Sequence, residues 1–198
     1  MTEFYIVRHG QTDSNTRQKC LGHKDVPMNE TGFGQVRRLS EKLRAMSFDA
    51  VYSSPLQRAV DTAVAVMENR KNINLSMSYG LIERDYGEWD DMSFDEISAA
   101  NRDEYMKWME NWIDYRIPGG ESANDVQRRV DEAIDKILSE HWGKRILIVT
   151  HLGTARHILS NLLGLTTEQS WRFTLDNAGV AVVSVDETKN GLLKGLNI

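Results

Sequence analysis

Two apolar runs, Phe4-Tyr5-Ile6-Val7 and Ile146-Leu147-Ile148-Val149, each break off into a histidine followed closely by glycine, as Arg8-His9-Gly10 and Thr150-His151-Leu152-Gly153. Short unbroken apolar runs of this kind read as strands buried on both faces. Such strands need helices above and below them. The chain supplies those helices between its strand-like runs. In 31–46, Val36, Leu39, Leu43 and Met46 recur at helical spacing, and in 122–142 Val126, Val130, Ile134, Ile137 and Leu138 form a second apolar face. A short strand is expected at 49–54, followed by a helix through 57–70 that Ser54, Pro55 and Gln57 are spaced to cap. Further expectations are a strand over 72–83, a helix from about 154 to 163, and a closing hairpin turned at Lys189-Asn190-Gly191.

Strands alternating with helices imply an α/β fold, a three-layer α/β/α sandwich around a mostly parallel central sheet. Its 198 residues with 40% apolar and 27% charged content suit one globular unit spanning 1–198. No linker composition or repeat divides it. The net charge of −5 argues against nucleic acid or anionic membrane as a partner. With a single cysteine, Cys20, no internal disulfide or multi-cysteine zinc site is available, and the N-terminus reads as a strand rather than a leader, so a cytoplasmic setting is expected.

Ligands on parallel sheets bind beyond the carboxyl ends of the strands. Residues just past the expected strands are Arg8-His9-Gly10, Ser53-Ser54 with Arg58 one turn into its helix, Glu83, and His151. Singly, each has an ordinary structural reading, as a hydrogen-bonded histidine, an ion-paired arginine or a surface carboxylate. Together they place several cationic groups at one edge, which an anion must compensate. A phosphoryl group fits, because Arg8 and Arg58 offer forked donors and a helix starting near His151-Leu152-Gly153 offers free N–H groups. His9 is then a candidate nucleophile and Glu83 a candidate proton donor.

These residues resemble the histidine phosphatase superfamily, in its phosphoglycerate mutase-like branch, over nearly the whole chain. The matching motifs are Arg8-His9-Gly10 with Thr12 and Asn15, Gly22, Ser53 to Thr62 around Arg58, Leu81-Glu83-Gly87-Trp89, Pro118 to Ser122, and Thr150-His151. The resemblance implies His9 as the phosphorylated residue, Glu83 as proton donor, and Arg8, Asn15, Gly22, Arg58, His151 and Leu152 as the phosphate pocket. Two positions depart from the family pattern: Leu152 stands where glycine is usual after the second histidine, and Asp91 replaces the glycine of the loop after Trp89.

Against the glycolytic mutases of the family, Phe94 stands where their lysine belongs, Leu152-Gly153 replaces Gly-Asn after the histidine, and their paired arginines are missing from 107–115. A phosphatase is therefore expected in preference to a mutase. The expected substrate is a small-molecule phosphate ester, with no cofactor and no metal, and with a homodimer as an option. Substrate choice is expected from an insertion at 84–117, where Arg84 and Arg116 are candidates for a second anionic group. The stripe Tyr105, Trp108, Trp112 and Tyr115 faces either the core or the substrate. A zinc site from Cys20, His23 and His9 and a non-catalytic phospholigand binder are the competing readings.

Overall fold

The computed structural model describes residues 1–68, 70 and 73–198. Six strands form one sheet: β1 (Thr2–Arg8), β2 (Ala50–Ser53), β3 (Leu75–Met77), β4 (Arg145–Thr150), β5 (Val180–Val185) and β6 (Gly191–Leu196), in the order β3-β2-β4-β1-β5-β6. All pairings from β3 across to β1 are parallel, and β5 runs antiparallel to both its neighbours. A mostly parallel sheet is the result.

The side chains of β1 and β4 alternate between two cores, as strand geometry requires. Phe4, Ile6, Ile146 and Ile148 point to one face, against α6 (Ala123–Glu140) and α7 (Leu152–Leu162). Tyr5, Val7, Leu147 and Val149 point to the other, against α2 (Glu30–Leu43) and α3 (Gln57–Met67). Each fully buried aliphatic side chain contributes roughly 1.5–3 kcal/mol. Those contacts hold the three layers together.

Local sequence explains where the helices begin. Asn29 caps α2 by accepting from the Gly32 N–H, and Ser122 with Asp125 forms a capping box at the start of α6. α3 differs from expectation. It starts at Gln57, with Leu56 at the cap position and no side-chain cap, while the Ser54 hydroxyl, two residues earlier, accepts from the Leu56 N–H at 3.3 Å and lies 2.7 Å from His151 Nε2. β3 is also much shorter than the expected strand, giving way to a 3-10 turn at Tyr79–Leu81 that carries the chain down to Glu83. The ends of that helix and strand expectation that fall on Asn69, Lys71 and Asn72 lie outside the described residues. α7 starts earlier than expected, with His151 itself as its N-cap residue.

Short helices α1 (Asp13–Thr16), α4 (Phe94–Ala100) and α5 (Arg102–Glu110) sit near the carboxyl edge of the sheet. The region 84–117 builds a third small core from Trp89, Ile97, Trp108 and Ile117, closed by Cys20 from the loop after α1. Of the aromatic stripe, Trp108 is buried there and stacks on Phe94, while Tyr105 and Tyr115 pack beside it. Trp112, beyond the end of α5, packs against the same cluster and also meets Trp171 edge-on.

Candidate active site

Parallel pairing of β1 with β4 sets Arg8 opposite Thr150, so His9 and His151 emerge side by side, their ring centroids 5.1 Å apart. The His9 N–H donates to the Thr150 carbonyl at 3.0 Å and the Ser54 N–H donates to the Val149 carbonyl at 3.0 Å, continuing the sheet ladder past its last residues. The backbone beneath both histidines is therefore fixed. Exposures are 3% for His9, 1% for His151, 0% for Arg58 and 6% for Glu83.

His9 Nδ1 lies 2.7 Å from the Gly10 carbonyl. A carbonyl only accepts, so Nδ1 carries the proton and Nε2 keeps its lone pair. Burial, reinforced by the charges of Arg58 and Arg8, holds the His9 imidazolium well below its ordinary pKa, leaving the ring neutral. Gly10 packs so tightly that a Cβ there would lie 2.5 Å from the Met28 sulfur.

Arg58 is clamped from the other side by the loop after α1. Its Nη1 donates to the Lys24 carbonyl at 3.0 Å and its Nη2 to the Gly22 carbonyl at 2.8 Å. Arg8 Nη1 donates to the Leu175 carbonyl at 2.8 Å, and burial pushes the Arg8 pKa down to about 10. After these bonds, Arg8 Nε, Arg58 Nε and His151 Nδ1 are buried with no partner. Unpaired buried donors are costly, and an acceptor-rich ligand would satisfy them; of the three residues, Arg8 stands in the wall of the adjoining cavity, while Arg58 and His151 do not.

Glu83 occupies the N-terminus of α7. Its carboxylate accepts from the N–H groups of Arg84 at 2.8 Å, Gly153 at 3.0 Å and Thr154 at 3.1 Å. These amides were expected to hold phosphate; the structure gives them to the resident carboxylate, which a helix N-terminus favours equally. Glycine at 153 leaves the Glu83 carboxyl group its place, because a Cβ would stand 2.5 Å from Glu83 Oε1 and the carboxyl group would have to move. The Glu83 carbonyl is held in turn by Arg129 Nη2 at 3.1 Å and His23 Nε2 at 2.9 Å.

The cavity over these groups measures about 230 Å³, with Arg8, His9, Asn15, Glu83, Leu152 and Gly153 in its wall. A larger groove of about 720 Å³ runs between α2 and α3 past Phe33 and Val64, and holds none of the strand-end residues. Asn15 is oriented by the Thr12 N–H and by Asn177 Nδ2, which both donate to its Oδ1 at 3.1 Å. Gly22 stands behind the wall, its N–H donating to Asp90 Oδ1 at 2.7 Å.

Two expectations are corrected. Arg84 does not offer a free cation, because its Nε and Nη2 donate to the Glu121 carbonyl at 3.0 and 2.9 Å. Arg116 pairs with Asp125 at 2.7 Å. The departure at Asp91 is accommodated: the residue adopts the left-handed conformation (φ 64°) that glycine favours, with its carboxylate held by Ser14 and Lys24. Sequence reasoning missed Asn177, Arg129, Arg156, Lys19 and Trp171. Of these, Arg156 alone carried a usable signal, lying on the helix that His151 opens.

A neutral imidazole with a free Nε2, the guanidinium groups of Arg8 and Arg58 and the carboxyl group of Glu83 thus meet at the carboxyl edge of the sheet in an α/β/α fold. Residues 4–197 match the histidine phosphatase superfamily (branch 1). The chain is 31% identical to phosphoserine phosphatase 1 of Hydrogenobacter thermophilus, over 100% of this chain and 93% of that one. It is 27% identical to the adenosylcobalamin/alpha-ribazole phosphatase of Escherichia coli, over 98% and 94%. The crystal structure of the alpha-ribazole phosphatase from Shigella flexneri superimposes with a TM-score of 0.91 at 27% identity, covering 99% of this chain and 96% of that one. The chain belongs to the histidine phosphatase superfamily, and its activity is that of a phosphatase on small phosphorylated metabolites.

Proposed function

We propose that the chain hydrolyses phosphomonoesters through a phosphohistidine formed on His9 Nε2. The observation that carries this reading is the free Nε2 lone pair of His9 beside three unpartnered donors, Arg8 Nε, Arg58 Nε and His151 Nδ1. Nε2 attacks phosphorus in line with the ester oxygen, a new N–P bond forms and the P–O bond breaks. Glu83, entering the step protonated, gives its proton to the departing oxygen and is left as a carboxylate. Water then attacks phosphorus and passes a proton to the Glu83 carboxylate, the N–P bond breaks with its electron pair returning to His9 Nε2, and inorganic phosphate leaves.

The two arginines and His151 stabilise the charge on the non-bridging oxygens. No step calls on a metal ion or an organic cofactor. Ser54, accepting from the Leu56 N–H at 3.3 Å, keeps its own proton for His151 Nε2, so that His151 Nδ1–H points its donor at the phosphoryl group.

Turnover of p-nitrophenyl phosphate and of phosphoserine by the purified protein tests the reading. His9→Ala is expected to lower kcat by at least about 10³-fold on both. Retention of more than a tenth of the rate removes His9 as nucleophile.

A further inference from the structure

The phosphate end of the cavity leaves its outer wall without an assignment, and that wall holds two cations, Arg156 and Lys19, with Trp171, Phe94 and Tyr86 between them. We propose that Arg156, assisted by Lys19, forms a carboxylate subsite, so that the preferred substrates are small phosphomonoesters bearing a carboxylate a few bonds from phosphorus. This rests on the phosphatase reading and extends it to substrate class.

Arg156 is built to receive a ligand. Its Nε donates to the Phe173 carbonyl at 2.8 Å, and its guanidinium carbon lies 4.5 Å over the Trp171 ring. Those two contacts fix the plane of the fork. Its Nη1 and Nη2 make no hydrogen bond, and among the described residues no carboxylate lies within ion-pair distance of it. Glu83 lies within its electrostatic reach but makes no ion pair with it, and a partly buried cation so placed is complemented by an anionic ligand. Lys19 likewise has no hydrogen-bonded side-chain partner, although Asp91 and Glu96 lie within its electrostatic reach.

Placement sets the size of the substrate. Leu152 and Arg156 are four residues apart on one face of α7 and both line the cavity, which puts Arg156 about 6 Å further along the helix axis. A cavity of about 230 Å³ seats a phosphoryl group together with a short carbon chain that reaches Arg156. Phe94, stacked on Trp108 with centroids 5.2 Å apart, closes the side opposite. A fixed guanidinium fork pairs bidentately with a carboxylate or a phosphate, and the smaller, planar carboxylate is the one that fits more readily in a cavity of this size already holding a phosphoryl group.

Substrate pairs that differ only in the carboxylate provide the test: phosphoserine against O-phosphoethanolamine, and 3-phosphoglycerate against glycerol 3-phosphate. The wild-type protein is expected to favour the carboxylated member of each pair by roughly 10- to 100-fold in kcat/KM, mainly through KM. Arg156→Met is expected to bring both ratios to within about 3-fold of unity, and Arg156→Lys to restore part of them. Propane-1,3-diol bisphosphate, whose second anion is a phosphate, is expected to fall below 3-phosphoglycerate. A wild-type ratio near one in both pairs overturns the proposal without recourse to any variant. So does a ratio that survives in folded Arg156→Met, and a preference for the bisphosphate overturns the carboxylate assignment. Wild-type protein that leaves p-nitrophenyl phosphate intact instead contradicts the phosphatase reading itself.

Discussion

The two ends of the cavity are held in different ways. At the inner end, His9, Ser54 and His151 continue hydrogen-bonded strands, and Arg58 sits in the first turn of α3 with its fork clamped by carbonyls. At the outer end, Phe94, Trp108 and Trp171 are placed by ring packing among short helices and loops. Backbone ladders fix the inner groups, and side-chain packing fixes the outer ones. Changes inside should therefore decide whether any ester is cleaved, and changes outside should decide which one.

The strongest way to break this contrast is Arg58→Ala. It removes a donor common to every substrate and should lower kcat by roughly 10² to 10³-fold on aryl and alkyl esters alike, in steady-state assays. A loss confined to one substrate class would erase the distinction. Gly153→Ala comes next. Its Cβ would overlap Glu83 Oε1, and displacing the proton donor by about 1 Å should cost roughly 10²-fold on alkyl esters. The loss should be smaller on p-nitrophenyl phosphate, whose leaving group needs little protonation, and equal losses would deny Glu83 that role.

A pH effect separates the ends in stability. His9 and His151 are held well below the ordinary imidazole pKa mainly by burial, and burial also pushes His157 down to about 3. Above about pH 6.5 the folded and unfolded chains are both neutral at these groups and the full stability is present. Below it the unfolded chain takes up protons that the folded one refuses. Stability should then fall by up to about 1.4 kcal/mol per pH unit for each histidine, read by urea unfolding at pH 7.5 and 5.5. Inorganic phosphate should offset part of that fall by binding the inner end, and a pH-independent midpoint would contradict the burial of neutral rings. The smallest effect belongs to the outer end. Trp171→Leu removes the aromatic face under Arg156 and should raise KM for phosphoserine about 3-fold. A larger loss in kcat than in KM would assign Trp171 to the chemistry.

The same contrast governs what could be read from the sequence. His9, Arg58, Glu83 and His151 were legible because a parallel sheet brings residues at strand ends together whatever surrounds them. Ser54 was read as a helix cap because its spacing to Gln57 fits one; the helix begins later, after Leu56, and nothing local reveals that the Ser54 hydroxyl also meets His151, 97 residues away. Arg84 and Arg116 were natural candidates for a second anion site, yet their forks turn to the Glu121 carbonyl and to Asp125. Which way a long side chain turns depends on tertiary partners. Arg156 was legible only in part: its helix is the one that His151 opens, but that its fork is held by Trp171 and the Phe173 carbonyl shows only in the folded chain.

The central claim is that His9 Nε2 carries the phosphoryl group while Arg8, Arg58 and His151 hold it. Rapid mixing with ³²P-labelled phosphoserine, quenching in alkali and mapping the labelled peptide measures this directly. The expected result is an acid-labile, alkali-stable phosphoryl group on His9 that forms and decays at rates matching turnover. Full turnover with no labelled enzyme, or label on any other residue, would contradict it.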